Sequence, residues 1–161
     1  MTPVRVLGLG SPFGDDRAGW IAVESLLQSD GFRALPDGLA SAEICDPIGS
    51  NLLDAMRGAD LAILIDAAQS GAAPGTVRRL DAQQIEDGSE PYSSHGFGLS
   101  ATLDLGRALN DLPRDVIVFL IEIPAAAKFG AADGLSAPVA GAISGLVATV
   151  LTEIVDSHGV F

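Results

Sequence analysis

Apolar residues recur along this chain at two alternating spacings. Val4, Val6, Leu7 and Leu9 form a short run without polar alternation, the pattern of a strand covered on both faces in a parallel sheet. Such a strand must hand over to a crossover. Trp20, Ile21, Val23, Leu26 and Leu27 supply it at helical spacing, with Asp15 or Asp16 expected as the N-cap. A polar, turn-forming stretch at 29–38 leads to a short strand expected at 42–45, which stops at Asp46-Pro47 because proline biases its predecessor away from helix. Ser50 or Asn51 is expected to cap a second helix through Leu52, Leu53, Ala55 and Met56, ended by Gly58. Residues 60–66 make the clearest buried strand, and it is expected to finish on Asp66. A small-residue loop at 67–75, an edge-like strand at 76–80 and a polar, exposed stretch at 81–91 follow. Ser93 or Ser94 is read as the cap of a third helix whose apolar face is Leu99, Leu103, Leu105 and Leu109. Residues 115–123 form another uniformly apolar strand and 125–134 a loop. The last helix starts at Ser136 and Pro138 and runs to about 155, with a loose tail at 156–161.

Strands that alternate with helices throughout predict a single α/β domain over residues 1–161. Its expected architecture is a doubly wound, mostly parallel sheet of about five strands with helices on both faces. Composition agrees: 161 residues, 48% hydrophobic and 19% charged, suit one globular core. The balance of 21 acidic against 9 basic residues gives a formal net charge of -12, which repels nucleic-acid backbones, so no nucleic-acid partner is expected. The stretch 137–151 is short, spaced by Gly and Ser, and amphipathic, and no membrane span is expected. Cys45 is the sole cysteine, which excludes an internal disulfide and a cysteine metal cluster. The first residues lack the sections of a secretory signal. A soluble, cytoplasmic monomer is the expectation.

The turn after the first strand carries the first chemical signal. Gly8-Leu9-Gly10 is close to a dinucleotide fingerprint, but Phe13 stands where the third glycine belongs and Gly14 comes one residue late. Asp15 and Asp16 also place negative charge where a phosphate needs a positive field. One carboxylate suffices to cap a helix, a contribution of about 1 kcal/mol, so a second one beside it calls for another role. In a doubly wound sheet, function gathers outside the carboxyl ends of the strands where strand order reverses. The first turn and the end of the 60–66 strand are the expected neighbours there, which brings Asp15, Asp16 and Asp66 into one crevice. Asp66 is either a cap for the loop that follows or a ligand facing that crevice. His95 sits where a helix dipole disfavours the charged imidazole, so it is either a neutral ligand or a solvated side chain. His158, in the expected tail, is read as solvated.

The wider pattern adds a family. Gly8-Leu9-Gly10-Ser11-Pro12, Asp15-Asp16 and Gly19 are followed by Leu64-Ile65-Asp66-Ala67, Pro74-Gly75-Thr76 and Ser94-His95 with Gly98-Leu99. Ile121-Glu122-Ile123-Pro124 and Gly134-Leu135-Ser136 complete the order. The whole resembles the hydrogenase maturation proteases, endopeptidases that trim the C-terminal extension of nickel-iron hydrogenase large subunits, over roughly residues 4–155. The resemblance implies a peptidase acting on a large-subunit precursor, with Asp16, Asp66 and His95 as metal-contacting positions. It also implies nickel, carried by the precursor as the signal that assembly is complete. Two positions depart from the family pattern: Ser11 stands where Asn is usual, and Arg17 where glycine is common. Arg17 is expected to pair with Asp15 and leave Asp16 to the chemistry.

Two carboxylates and one imidazole suit a borderline divalent ion and leave open coordination positions, but ligand softness does not choose among nickel, zinc, manganese and iron. For the scission step, either the metal polarises the carbonyl or activates a water, or Asp16 or Asp66 acts as general base. No Gly-x-Ser-x-Gly occurs, and Cys45 lacks a basic neighbour. The rival readings are a non-catalytic α/β module that binds a nucleotide or an anionic partner, and a general metallopeptidase with its own zinc.

Overall fold

Five strands carry the predicted apolar runs. They are β1 (Val4–Leu9), β2 (Ala40–Cys45), β3 (Leu61–Ala68), β4 (Val77–Asp81) and β5 (Asp115–Glu122). A computed structural model of the chain describes residues 3–45, 52–82, 84, 96–125 and 134–159. The strands form one sheet in the order β2-β1-β3-β5-β4, with parallel pairing everywhere except between β4 and β5. The helices are α1 (Ala18–Gln28), α2 (Asp30–Arg33), α3 (Leu52–Met56), α4 (Gly96–Ala108) and α5 (Ala137–Ser157). A 3₁₀ turn, Gly14–Arg17, runs directly into α1.

Period-two alternation divides the strands between two apolar layers. Val4, Val6, Ile63, Ile65, Phe119 and Ile121 face α1 and α5, whereas Leu7, Leu9, Leu64, Val118 and Leu120 face α3 and α4. Helices therefore cover both faces, as the α/β pattern predicts. β3, flanked by β1 and β5, is buried at all eight positions.

The packed faces of the helices differ in detail from the expected stripes. The buried side of α1 is Ala18, Gly19, Ala22, Val23 and Leu26, while Leu27 is 41% exposed. Small residues win that face because the helix lies close to the sheet backbone. In α4, Leu99 and Leu103 point inward, but Leu105 and, just past the helix end, Leu109 are exposed, since one helix face cannot hold all four. The polar stretch after α1 holds the short helix α2, whose N-cap Ser29 accepts a hydrogen bond from the Phe32 amide at 3.2 Å. β2 begins two residues earlier than expected. α5 runs through Ser157, so residues 156 and 157 are helical rather than loose, and the Ser157 hydroxyl donates to the Ile154 carbonyl at 2.8 Å. By length and composition α5 is apolar enough to cross a membrane, with a mean hydropathy of 1.7. Its buried side chains Val139, Ile143, Leu146, Val147, Val150 and Ile154 lie in the apolar cluster shared with α1 and the sheet. The expected caps at Ser50, Asn51, Ser93 and Ser94 lie outside the described residues.

Connectivity sets the place for a site. From β1 the chain crosses one face through α1 to β2, then returns across the other face through α3 to β3. The crossovers diverge between β1 and β3, and the carboxyl ends of these two strands flank the switch point.

Candidate active site at the carboxyl ends of β1 and β3

The segment between β1 and α1 is closed by its own backbone. The Ser11 amide donates to the Asp16 carbonyl at 3.2 Å and the Asp16 amide to the Phe13 carbonyl at 3.1 Å. Gly14 adopts φ +52°, a left-handed conformation that a side chain would strain. This turn buries both acids. The Ser11 hydroxyl donates to Asp16 Oδ2 at 2.6 Å, and Asp16 is only 6% exposed. Asp15 turns elsewhere: its Oδ1 accepts the Ser136 backbone amide at 2.6 Å, and Ser136 is the N-cap residue of α5.

Neither acid is an N-cap. Phe13 precedes the 3₁₀ turn and Arg17 precedes α1, and neither contributes a side-chain cap. The turn feeds straight into the helix, so both carboxylates lie inside helical backbone instead of before it. The expected Arg17–Asp15 pair does not form. Asp15 is engaged by the Ser136 amide, and Arg17 Nε is buried without a hydrogen-bond partner among the described residues. Two acids thus have two uses. Asp15 ties the last helix to the first turn, and Asp16 is held by Ser11 at the strand end.

Asp66 is fully buried, and its Oδ1 accepts the adjacent Ala67 amide at 2.8 Å. It does not end its strand, because β3 continues through Ala67 and Ala68, both paired with β5. Alternation with Ala62, Leu64 and Ala68 directs Asp66 to the α3 and α4 face. The Asp15-Asp16 turn reaches β3 through a backbone contact that only glycine allows. A Cβ on Gly19 would lie 2.2 Å from the Leu9 carbonyl oxygen and 2.5 Å from that of Ile65, and a Cβ on Gly8 would lie 2.3 Å from the Gly19 oxygen. The start of α1 is therefore pressed against β1 and against the residue preceding Asp66, and the 3₁₀ turn packs on β3. The structure brings the Asp16 turn and the Asp66 strand to one mouth of the sheet. His95, the residue before α4, lies outside the described residues. Among the described residues, no group of three His, Cys, Asp or Glu side chains is arranged to hold a metal ion.

Sequence reasoning gave no role to Glu122, which is 3% exposed at the end of β5. Its carboxylate accepts the Ser70 amide at 2.9 and 3.1 Å and the Ser70 hydroxyl at 2.5 Å, so it fixes the loop that leaves β3. The signal that singled out Asp66, an acid at the end of an apolar run, marks Glu122 equally. A cleft of about 550 Å³ lies at the other end of the sheet, lined by Arg79, Asp81, Arg107, Arg114 and Asp115. Its Arg79 is paired with Asp81 and Glu153, and its Arg114 with Asp115.

Fold and site define a doubly wound α/β protein whose polar side chains at the switch point are buried carboxylates. The chain belongs to the hydrogenase maturation protease family, whose HycI model matches residues 47–153. That span contains Asp66 and position 95, and Asp16 precedes it. The chain is similar to the hydrogenase maturating endopeptidase HybD of Escherichia coli, with 27% identity and a TM-score of 0.80 over 96% of this chain and 93% of that one. A second Escherichia coli endopeptidase structure is 25% identical with a TM-score of 0.74, covering 95% of this chain and 93% of that chain. The hydrogenase expression/formation protein HupD of Thiocapsa roseopersicina is 28% identical over 126 residues, which is 74% of this chain and 53% of HupD. The chain thus spans about half the length of that curated relative.

Proposed function

We propose that this protein is an endopeptidase that removes the C-terminal extension of a nickel-iron hydrogenase large-subunit precursor once nickel has been inserted. The observation that carries the reading is the meeting of the Asp16 turn with the Asp66 strand at the switch point, in a chain of this family. HybD, named a hydrogenase maturating endopeptidase, matches the chain over nearly its full length and supports the same activity.

Asp16, Asp66 and His95 are the residues proposed to contact the nickel of the client. Two carboxylate oxygens and an imidazole nitrogen form a mixed donor set that suits a borderline divalent ion and leaves positions for the client's own ligands. The ion belongs to the precursor, so these side chains act as a probe of loading. In the scission step, Asp16 or Asp66 takes a proton from the attacking water and returns one to the leaving amine. The Ser11 hydrogen bond orients the Asp16 carboxylate.

The test compares nickel-loaded and nickel-free precursor by mass spectrometry of the large subunit. The loaded form should be shortened and the nickel-free form spared, and Asp16→Asn and Asp66→Asn should each abolish shortening. Equal cleavage of both forms would remove the nickel probe from the reading. No cleavage of either would remove the peptidase.

A further inference from the structure

We propose that Phe13 is a substrate-contact residue, a hydrophobic seat on which an apolar side chain of the client's C-terminal segment packs beside the bond to be cut. The proposal rests on the endopeptidase reading above. Phe13 is 68% exposed, more than the other exposed large hydrophobic residues described, and next to it Gly14, Asp15 and Asp16 are all buried. Its position is fixed by the turn that fixes Asp16. The Phe13 carbonyl accepts the Asp16 amide at 3.1 Å, and the residue is extended, at φ -108° and ψ 114°, where it precedes the 3₁₀ turn. A flat apolar ring is thereby presented to solvent on the lip of the loop whose inner side holds the proposed catalytic carboxylate.

Single exposed apolar residues are ordinary on protein surfaces, so placement decides the matter. Leu27 lies near the end of α1, Val77 on the antiparallel edge strand, Leu105 on the outer side of α4 and Leu109 just past its end. Phe13 alone shares a turn with Asp16. Ile44, 47% exposed, adds a second apolar side chain at the same end of the sheet, because it pairs in register with Gly8 on β1. An endopeptidase must hold an extended segment across its catalytic group, and a fixed ring beside that group aligns such a segment while losing little side-chain entropy.

The experiment measures cleavage kinetics of the intact protein on nickel-loaded large-subunit precursor, for wild type, Phe13→Ala, Phe13→Leu and Phe13→Tyr. Phe13→Ala should raise KM about tenfold with kcat within about twofold, the pattern of a lost uniform contact. Phe13→Leu should restore KM to within about threefold, because an apolar seat tolerates a branched aliphatic group. Thermal midpoints should be unchanged, since the ring is exposed. An unchanged KM for Phe13→Ala overturns the proposal, as does a fall in thermal midpoint that accounts for the loss. Rescue by Tyr but not by Leu overturns the apolar assignment in favour of a cation on the ring face. If wild type cleaves nothing, the peptidase reading fails separately. Titrating immobilised protein with the uncleaved precursor then decides Phe13: weaker capture by Phe13→Ala than by Phe13→Leu supports it, and equal or absent capture overturns it.

Discussion

One added methyl group should destabilise this protein at Gly19 and stabilise it at Gly145. At Gly19 the new carbon would sit 2.2 Å from one strand's carbonyl oxygen and 2.5 Å from another's. Both distances fall well inside the roughly 3.5 Å at which heavy atoms pack. Overpacking costs about 1–3 kcal/mol where flexible side chains can give way. Here the obstacles are the backbones of β1 and β3, so we expect a loss at the top of that range, about 3 kcal/mol. At roughly 2–4 °C per kcal/mol for a chain of this size, the thermal midpoint should drop by about 10 °C. Gly145 lies inside α5, and a Cβ there would meet nothing within 4 Å. Removing a helix-interior glycine should then gain about 0.5–1 kcal/mol, or about 2 °C. Guanidinium and thermal unfolding followed by circular dichroism measure both variants against wild type. Gly19→Ala should also depress cleavage below the unfolding transition, because α1 can retreat only by carrying the Asp16 turn with it. A Gly19→Ala protein as stable as wild type, or shifts of the same sign at both sites, would refute the close helix–strand contact on which the site is built.

Other perturbations separate anchoring from chemistry. Asp15→Asn removes a charge-assisted acceptor from the Ser136 amide and should cost about 1–3 kcal/mol, with the N-terminal amides of α5 exchanging faster while residual cleavage persists. Loss of all cleavage in a stably folded Asp15→Asn would reassign that residue. Glu122→Gln should loosen the Ser70 loop by a similar amount, about 1–3 kcal/mol, read as accelerated amide exchange confined to residues 69–76; uniform exchange along the chain would contradict it. Arg57 holds the Asp111 carboxyl below its usual value, first through its hydrogen bonds at 2.6 and 2.9 Å and then through charge attraction. A carboxyl lowered on folding contributes stability above its unfolded value near ~3.9 and loses it as pH falls through the folded value. Asp111→Asn should therefore be less stable than wild type at pH 7, with the gap closing below about pH 4; a gap independent of pH would exclude the pair as its cause.

Long apolar runs and small-residue punctuation made the fold legible. Strands β1, β3 and β5 and helices α1, α4 and α5 all lie where periodicity places them. Local rules failed where tertiary contacts override them. Asp15 reads as a helix cap, yet its partner is an amide 121 residues away, which no local pattern can reveal. Asp66 reads as the end of a strand because an acid stops an apolar run, whereas the pairing of Ala67 and Ala68 with β5 extends β3 past it. Leu105 and Leu109 fit an apolar stripe by spacing alone, but the face of α4 in contact with the sheet is narrower than the stripe. At the site, the pairing of glycines with acids was visible, and the division of labour between Asp15 and Asp16 was not.

The bond from Asp15 to the Ser136 amide has a consequence for biosynthesis. A ribosome makes the first turn long before the segment that clamps it, so a nascent chain still lacking α5 has Asp16 held by Ser11 but Asp15 without its fastening. Because α5 also supplies Val139, Ile143, Leu146, Val150 and Ile154 to one apolar layer, competence should arrive late, with the emergence of that helix, and translation products truncated before it should cleave less than the full chain.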